Sequence, residues 1–231
     1  MPGMTSAFRS KKDLVHDRLR RALVSGELRP GDRVVIDEWA RALEVSPIPV
    51  REAVQALVSD GFLVARPHAG PVVAPITAQS VREVFDLMEA LEVIAGRAAC
   101  EAPGELDLAP VRRTLDSIDR AIERHRLKDW PALNRQFHAG ICALAGSGLT
   151  ACSYNRAADH WERIRALHGH DAAEPDALAA QREHRAILDA LEHRDADRLE
   201  QASRAHNQRA RAAVLARIEA ALSSTPAKPT A

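Results

Sequence analysis

Large planar side chains are scarce in this chain: of 231 residues, three are Trp, one is Tyr and four are Phe. With Ala, Leu, Arg and Glu abundant in their place, the composition favours helix over sheet. Cysteine is nearly absent. Cys100, Cys142 and Cys152 are odd in number, form no C-x-x-C pair and fall in helix-like sequence, which excludes a disulfide framework and leaves buried free thiols. Long apolar runs are missing too: nothing reaches the ~18 residues a membrane span needs. The leader MPGMTSAFRSKKD has no apolar core of signal-peptide length. The expectation is a cytoplasmic protein with no membrane partner.

Net charge is also lacking, with 32 basic against 32 acidic residues, so no global field points to nucleic acid. Residues 1–75 carry 11 Lys and Arg against nine Asp and Glu, net +2, leaving −2 for the rest. That asymmetry decides nothing alone. What is present is apolar residue in quantity, 46% of the chain, enough to bury the cores of two domains.

In the first 75 residues, Leu14, Arg18, Leu19, Ala22 and Leu23 give a helical stripe over about 12–25, stopped at SGELRPGD by Gly26, Pro30 and Gly31. Arg33-Val34-Val35 reads as a short strand, and Asp37 as the N-cap of a second, short helix, EWARALE. In SPIPVREA, the Ser46 hydroxyl caps a third helix, with Pro47 and Pro49 in its first turn, where a missing N–H has no intrahelical partner to lose. Val50, Ala53, Val54 and Leu57 form its buried stripe, Arg51 projects away from them, and Gly61 ends it. FLVAR and PVVAP around Pro67-His68-Ala69-Gly70 read as a hairpin. Helix, short helix, a turn at Glu44-Val45-Ser46, capped helix and hairpin make a winged helix-turn-helix, which presents the start of its second helix to the major groove.

From residue 76 the strand signals vanish. Ser80-Val81-Arg82-Glu83 is a capping box opening a helix to about residue 101. Helical stretches follow near 107–125, 128–145, 148–168, 175–193 and 195–222, separated by APGELD, GSG and HGHDAAEPD. The fold class is therefore mainly α: an N-terminal winged helix-turn-helix (1–75), an all-helical bundle of about six helices (76–223) and a disordered tail (224–231).

Three histidines occupy inward positions of separate helices. His138 follows Asn134 by one turn on a face with Leu133, Phe137 and Ile141; His184 leads Leu188 and Leu191; His206 shares a face with Leu199, Ala202, Ala210 and Ala213. Singly, each reads as a hydrogen-bonded core residue. Together they can converge as neutral imidazoles on a divalent cation, zinc or nickel by donor type. His125, His160, His168, His170 and His193 read as surface or helix-end residues.

LRRALVSGELRPGDRV, LEVSPIPVREAVQALVSDGFL and PHAGPVVAPI together resemble the N-terminal domain of GntR-family transcriptional regulators. The helical remainder is similar to the FCD-type ligand-binding domain of the FadR subfamily. The resemblance covers about residues 12–222 and implies a homodimer that binds a palindromic double-stranded operator, commonly as a repressor, under control of a small-molecule effector. It places DNA contacts at Ser46, Pro47, Ile48, Arg51, Arg66 and His68, with Lys11 and Lys12 near. The family commonly has Arg and Thr after the capping Ser, where this chain has Pro47 and Ile48, and often Arg at the position of Asp37. Ile48 suits a thymine methyl instead.

The resemblance further implies metal ligands at Asn134, His138, His184 and His206. The family's first ligand is Asp, and Asn is an uncharged substitute. The Arg that commonly grips an effector carboxylate, four residues before Glu92, is Met88 here, so the effector is less acidic or places its carboxylate on the metal. Arg163 and Arg165 are substitute grips, with a solvated face as the plain alternative.

Two other readings stand beside this one. A metal-free dimer would use the histidines as core residues. A metal-dependent hydrolase fused to a DNA-binding domain would use the open metal position, but no H-E-x-x-H helix is present and Glu183, next to His184, points off the site's face.

Overall fold

The computed structural model describes residues 10–67, 70–168 and 174–224, with side chains left aside at 174–175 and 221–224. The chain divides into two compact units, residues 1–76 and 77–231.

The first unit holds α1 (Lys11–Val24), α2 (Ile36–Ala42), α3 (Pro47–Ser59) and a hairpin of β1 (Leu63–Arg66) and β2 (Gly70–Val73). The strands pair antiparallel with Leu63 opposite Val73 and Arg66 opposite Gly70. Val15, Leu19 and Leu23 of α1 meet Val50, Val54 and Leu57 of α3 over Phe62, Leu63 and Val73. The α1 stripe is thus one residue out of step with the sequence expectation at its start, since Leu14 is exposed and Val15 is buried. A Ser10–Asp13 capping box opens α1. The strand expected at Arg33-Val34-Val35 reduces to one bridge, Arg33 to Val72, because α2 begins directly after it.

Two caps differ from expectation for identifiable reasons. The α2 N-cap is Val35, and Asp37 lies inside the first turn, where its charge favours the positive helix end. Ser46 is the N-cap of α3 but makes no side-chain cap bond; the third helical residue is Pro49, which has no N–H to donate. At its other end α3 closes in a Schellman motif. Gly61 takes φ +79, its N–H reaches Val58 O at 3.1 Å, and Phe62 N–H reaches Leu57 O at 3.0 Å. The same closure ends α2, with Glu44 at φ 54 and Val45 N–H on Ala40 O at 3.0 Å.

The second unit is all helical among the described residues: α4 (Ala78–Glu101), α5 (Ala109–Glu123), a 3-10 turn (Leu127–Asp129), α6 (Trp130–Leu144), α7 (Gly148–His168), α8 (Glu174–Glu192) and α9 (Ala196–Ser224). The capping box of α4 lies one turn earlier than expected: Thr77 Oγ1 accepts from Ser80 N–H at 3.1 Å and Ser80 Oγ accepts from Thr77 N–H at 2.9 Å. Helix α9 runs on to Ser224, into the segment expected to be tail; residues 225–231 lie outside the described residues.

Helix α4 packs on α7 and α9, α8 on α9, and α5 on α6 and α8. Helices α4 and α9 approach closely at Gly96, where a Cβ would lie 2.4 Å from Leu199 Cδ2 and push that side chain aside. One core gathers Leu115, Ile118, Phe137, Ile141, Ile187 and Leu191; a second gathers Met88, Ala95, Cys142, Tyr154 and Ala158. Cys100 and Cys142 are buried thiols as expected, whereas Cys152 is exposed. No helix among the described residues is long and apolar enough to cross a membrane.

Candidate functional site

In the first unit, the buried face of α3 fixes what the opposite face presents. Ser46, Pro47, Ile48 and Arg51 are all exposed, as is Arg66 at the end of β1. Ile48 is 67% exposed. Neither Arg51 nor Arg66 has a hydrogen-bond or ion-pair partner among the described residues. His68 lies outside the described residues.

In the second unit, α6, α8 and α9 bring His138, His184 and His206 together. Their ring centroids are separated by 5.0, 5.0 and 4.7 Å, and one ring nitrogen from each lies within 4.8 Å of the others. All three are buried. The Nδ1 atoms are tied to acceptors: His138 to Glu92 Oε2 at 3.2 Å, His184 to Gln181 Oε1 at 3.3 Å and His206 to Glu183 Oε2 at 2.7 Å. The Gln181 amide is oriented for this by donating to Leu115 O and Asp119 Oδ1. With each Nδ1 donating, each Nε2 keeps its lone pair, the tautomer a metal ligand needs.

Burial, then the neighbouring imidazoles and Arg209, hold His184 well below the usual histidine range. Burial also lowers His206, against the pull of Glu183. Glu92 is fully buried. Burial alone would raise its carboxyl, but His138, His206 and Asn207 hold it below the ordinary range. Tyr154, buried beside Glu92, is pushed well up by burial and that charge.

Buried acceptors of this region without a partner include His184 Nε2, Asn134 Oδ1 and Glu92 Oε1. Leaving such groups unmet costs about 1–3 kcal/mol each, and a cation held by His184 Nε2 and Asn134 Oδ1 would satisfy those two. The donor set of three neutral imidazoles and one amide oxygen fits a divalent ion, and Glu92 supplies a compensating buried charge at one remove.

Beside the histidines opens a cavity of ≈ 60 Å³ with a partly open mouth, room for a few waters or for the head of a small molecule whose body extends into the mouth. Met88, Asn134, His138 and His206 line it, as do Trp130, Trp161 and Arg209. Arg163 and Arg165 do not. Arg163 is buried elsewhere on α7, where desolvation lowers it to about 10, and Arg165 pairs with Glu162. Glu183 stays off the cavity wall, as the sequence implied, yet it grips the far nitrogen of His206 and both ends of the Arg209 guanidinium. Those contacts hold its carboxyl down to about 2 against the opposing effect of burial.

The model of bacterial regulatory proteins of the gntR family matches residues 11–73, and the FCD domain model matches residues 83–209. The chain belongs to the GntR family. Its FCD domain is consistent with the FadR-like subfamily. This GntR regulator is 30% identical over 203 residues to an uncharacterized HTH-type transcriptional regulator in an unstable DNA locus of Streptomyces ambofaciens, covering 87% of this chain and 84% of that one. It is 30% identical over 190 residues to the HTH-type transcriptional repressor RspR of Escherichia coli K12, covering 82% of each. In fold it matches a transcriptional regulator GntR from Rhodococcus sp. RHA1 with a TM-score of 0.72 at 23% identity, over 90% of this chain and 99% of that one. The match to E. coli McbR/YncC has a TM-score of 0.72 at 22% identity, over 90% and 98%. At these identities the solved structures speak to fold alone. The GntR helix-turn-helix implies DNA binding and the FCD domain implies binding of a small-molecule effector; the chain is a transcriptional regulator rather than an enzyme.

Several residues of the site were not singled out from sequence. Gln181, Asn207, Arg209, Trp130 and Trp161 carried no motif. Glu92 did carry a signal: it interrupts the apolar stripe Val81, Phe85, Met88, Ala95, Ala99 of α4 with a charge that must be met inside the bundle.

Proposed function

We propose that this GntR regulator is a homodimeric repressor whose first unit reads a palindromic operator and whose second unit binds a divalent cation and a small metabolite that changes operator affinity. The observation that carries the metal reading is the trio of buried imidazoles with their far nitrogens anchored and His184 Nε2 unmet. His138, His184, His206 and Asn134 would hold the ion, zinc or nickel by donor type. When bound, such an ion supplies a positive centre that attracts an anionic ligand group. The repressor sign is supported by RspR, named as a repressor at 30% identity. The effector acts by binding one of two states of the regulator better than the other. The test is elemental analysis of protein purified without chelator, joined to gel shifts on an operator selected from a random pool. An inverted repeat and about one ion per chain support the reading; a direct or single site removes the dimeric operator.

The dimer is supported by α4. Leu87, Ala90, Ile94 and Ala98 recur at helical spacing on one exposed face of it, and a long helix with an uncovered apolar stripe suits a self-complementary two-fold contact. Leu87→Glu with Ile94→Glu is expected to turn the dimer into monomers in light scattering and to weaken operator binding at least tenfold, since one head then binds one half-site. A dimer that survives both charges moves the interface elsewhere.

A further inference from the structure

We infer that the cavity beside the three histidines takes a ligand with one anionic head and a flat aromatic body, an aryl monocarboxylate, in preference to a di- or tricarboxylate. This rests on the reading that the effector binds in that cavity, and it names the chemical class.

Among the described residues lining the cavity, the cation is Arg209. Its guanidinium is already committed, with Nε and Nη2 donating to the two oxygens of Glu183. The carboxylate in the wall, Asp176, is paired with Arg217 at 2.9 Å. Position 88, facing the same space, is a thioether rather than a cation. The walls therefore offer no uncommitted positive side chain to a second or third carboxylate, which would enter desolvated and unpaired. One anionic head, at the histidine end, is what the cavity can match.

The rest of the wall specifies the body. Phe85, Met88, Trp130, Trp161 and Ala180 present rings, sulfur and methyl groups. Phe85 and Trp161 already stand edge to face, centroids 5.1 Å apart and planes at 61°, so the space between Trp161 and Trp130 is bounded by aromatic surface. Flat rings pack on such walls with gains beyond area alone, and a thioether adds a favourable contact at the ring.

One polar group in this wall points to a ligand by itself. The indole Nε1 of Trp130 is buried and has no hydrogen-bond partner. A native structure seldom leaves a buried N–H unmet. An oxygen on the bound molecule, from the carboxylate or from a ring hydroxyl or ether, would complete it. Acetate would satisfy the head and leave the walls empty; citrate would satisfy the head and strand two charges.

The experiment uses the full chain carrying Trp39→Phe, which leaves Trp130 and Trp161 as its only tryptophans, both in the cavity wall. Phenylacetate, acetate and citrate are titrated separately, followed by tryptophan emission and by melting temperature, with metal content measured on the same sample. Phenylacetate is expected to quench the emission, raise Tm and bind at least tenfold more tightly than either other probe. Met88→Arg is expected to reverse the ranking toward citrate, and Trp130→Phe to weaken phenylacetate about tenfold while keeping the ring wall. Equal or tighter binding of citrate by the unaltered cavity, or no response to phenylacetate, overturns the inference. A sample that holds one divalent ion per chain yet prefers citrate sinks the ligand class and leaves the metal reading standing; a metal-free sample that binds phenylacetate does the reverse.

Discussion

His184→Ala is expected to strip the divalent ion from the purified chain, taking occupancy from about one per chain to under about 0.1, because it removes one of three imidazoles whose positions the bundle alone fixes. His138→Ala and His206→Ala should do the same. Glu92→Gln keeps the ligands but takes away the carboxylate that orients His138 at 3.2 Å, so it should weaken the ion roughly 10- to 100-fold rather than abolish it. Asn134→Asp should tighten it, since a charged oxygen attracts the cation directly. Inductively coupled plasma mass spectrometry on each variant reads the series. A wild-type chain with no metal and no thermal shift in zinc or nickel would make the three histidines core residues.

The same trio sets a pH dependence. His184 and His206 are held below the usual histidine value by burial. As pH falls through the unfolded value of about 6.5, the unfolded chain takes up protons that the folded chain refuses. The stability they contribute is thus fully present above about pH 6.5 and declines below it, and the melting temperature should fall in acid.

Arg51→Ala is expected to cost about 1–3 kcal/mol of operator binding, roughly 5- to 150-fold, while leaving the melting temperature unchanged. The side chain stands on the exposed face of α3, opposite Val50, Val54 and Leu57, with no partner among the described residues. Nothing in the fold therefore depends on it. An arginine that touched only phosphate would weaken all sequences alike and lower the salt slope by about one. If it reads a base, discrimination at one position per half-site is lost instead. Pro47→Arg makes the complementary experiment, because Pro47 is exposed at the first helical residue and its replacement leaves the helix start intact. Gel shifts unchanged in both variants would take this end of α3 off the DNA.

Helix boundaries in the second unit were legible to within two or three residues because long amphipathic periods and the breaks between them carry the signal, as at GSG before α7. Caps were less legible. In ITAQSVRE both Thr77 and Ser80 can begin a capping box, and in the structure Thr77 does. Ser46 looked like a capping hydroxyl until the absence of a donor at Pro49 is taken into account. The histidines were visible as polar residues on apolar stripes, one per helix. Their anchors were not, since Glu92, Gln181 and Glu183 reach the rings across helix contacts that no spacing in a single segment encodes. Arg163 and Arg165 show the converse failure: a cation two residues from another on α7 has no sequence mark that separates a cavity wall from a buried flank.

The turn between α2 and α3 holds a further consequence. Glu44 occupies the left-handed region at φ 54, a conformation that costs a non-glycine residue about 1–2 kcal/mol, and its exposed side chain makes no hydrogen bond or ion pair among the described residues. The DNA-reading unit accordingly folds below its attainable stability by an amount localised to one residue. For a domain of this size that is several degrees of melting temperature, open to recovery by glycine at a position outside α3 and outside its buried stripe. Thermal tolerance and operator chemistry are in that sense separable properties of this unit, adjustable at different residues.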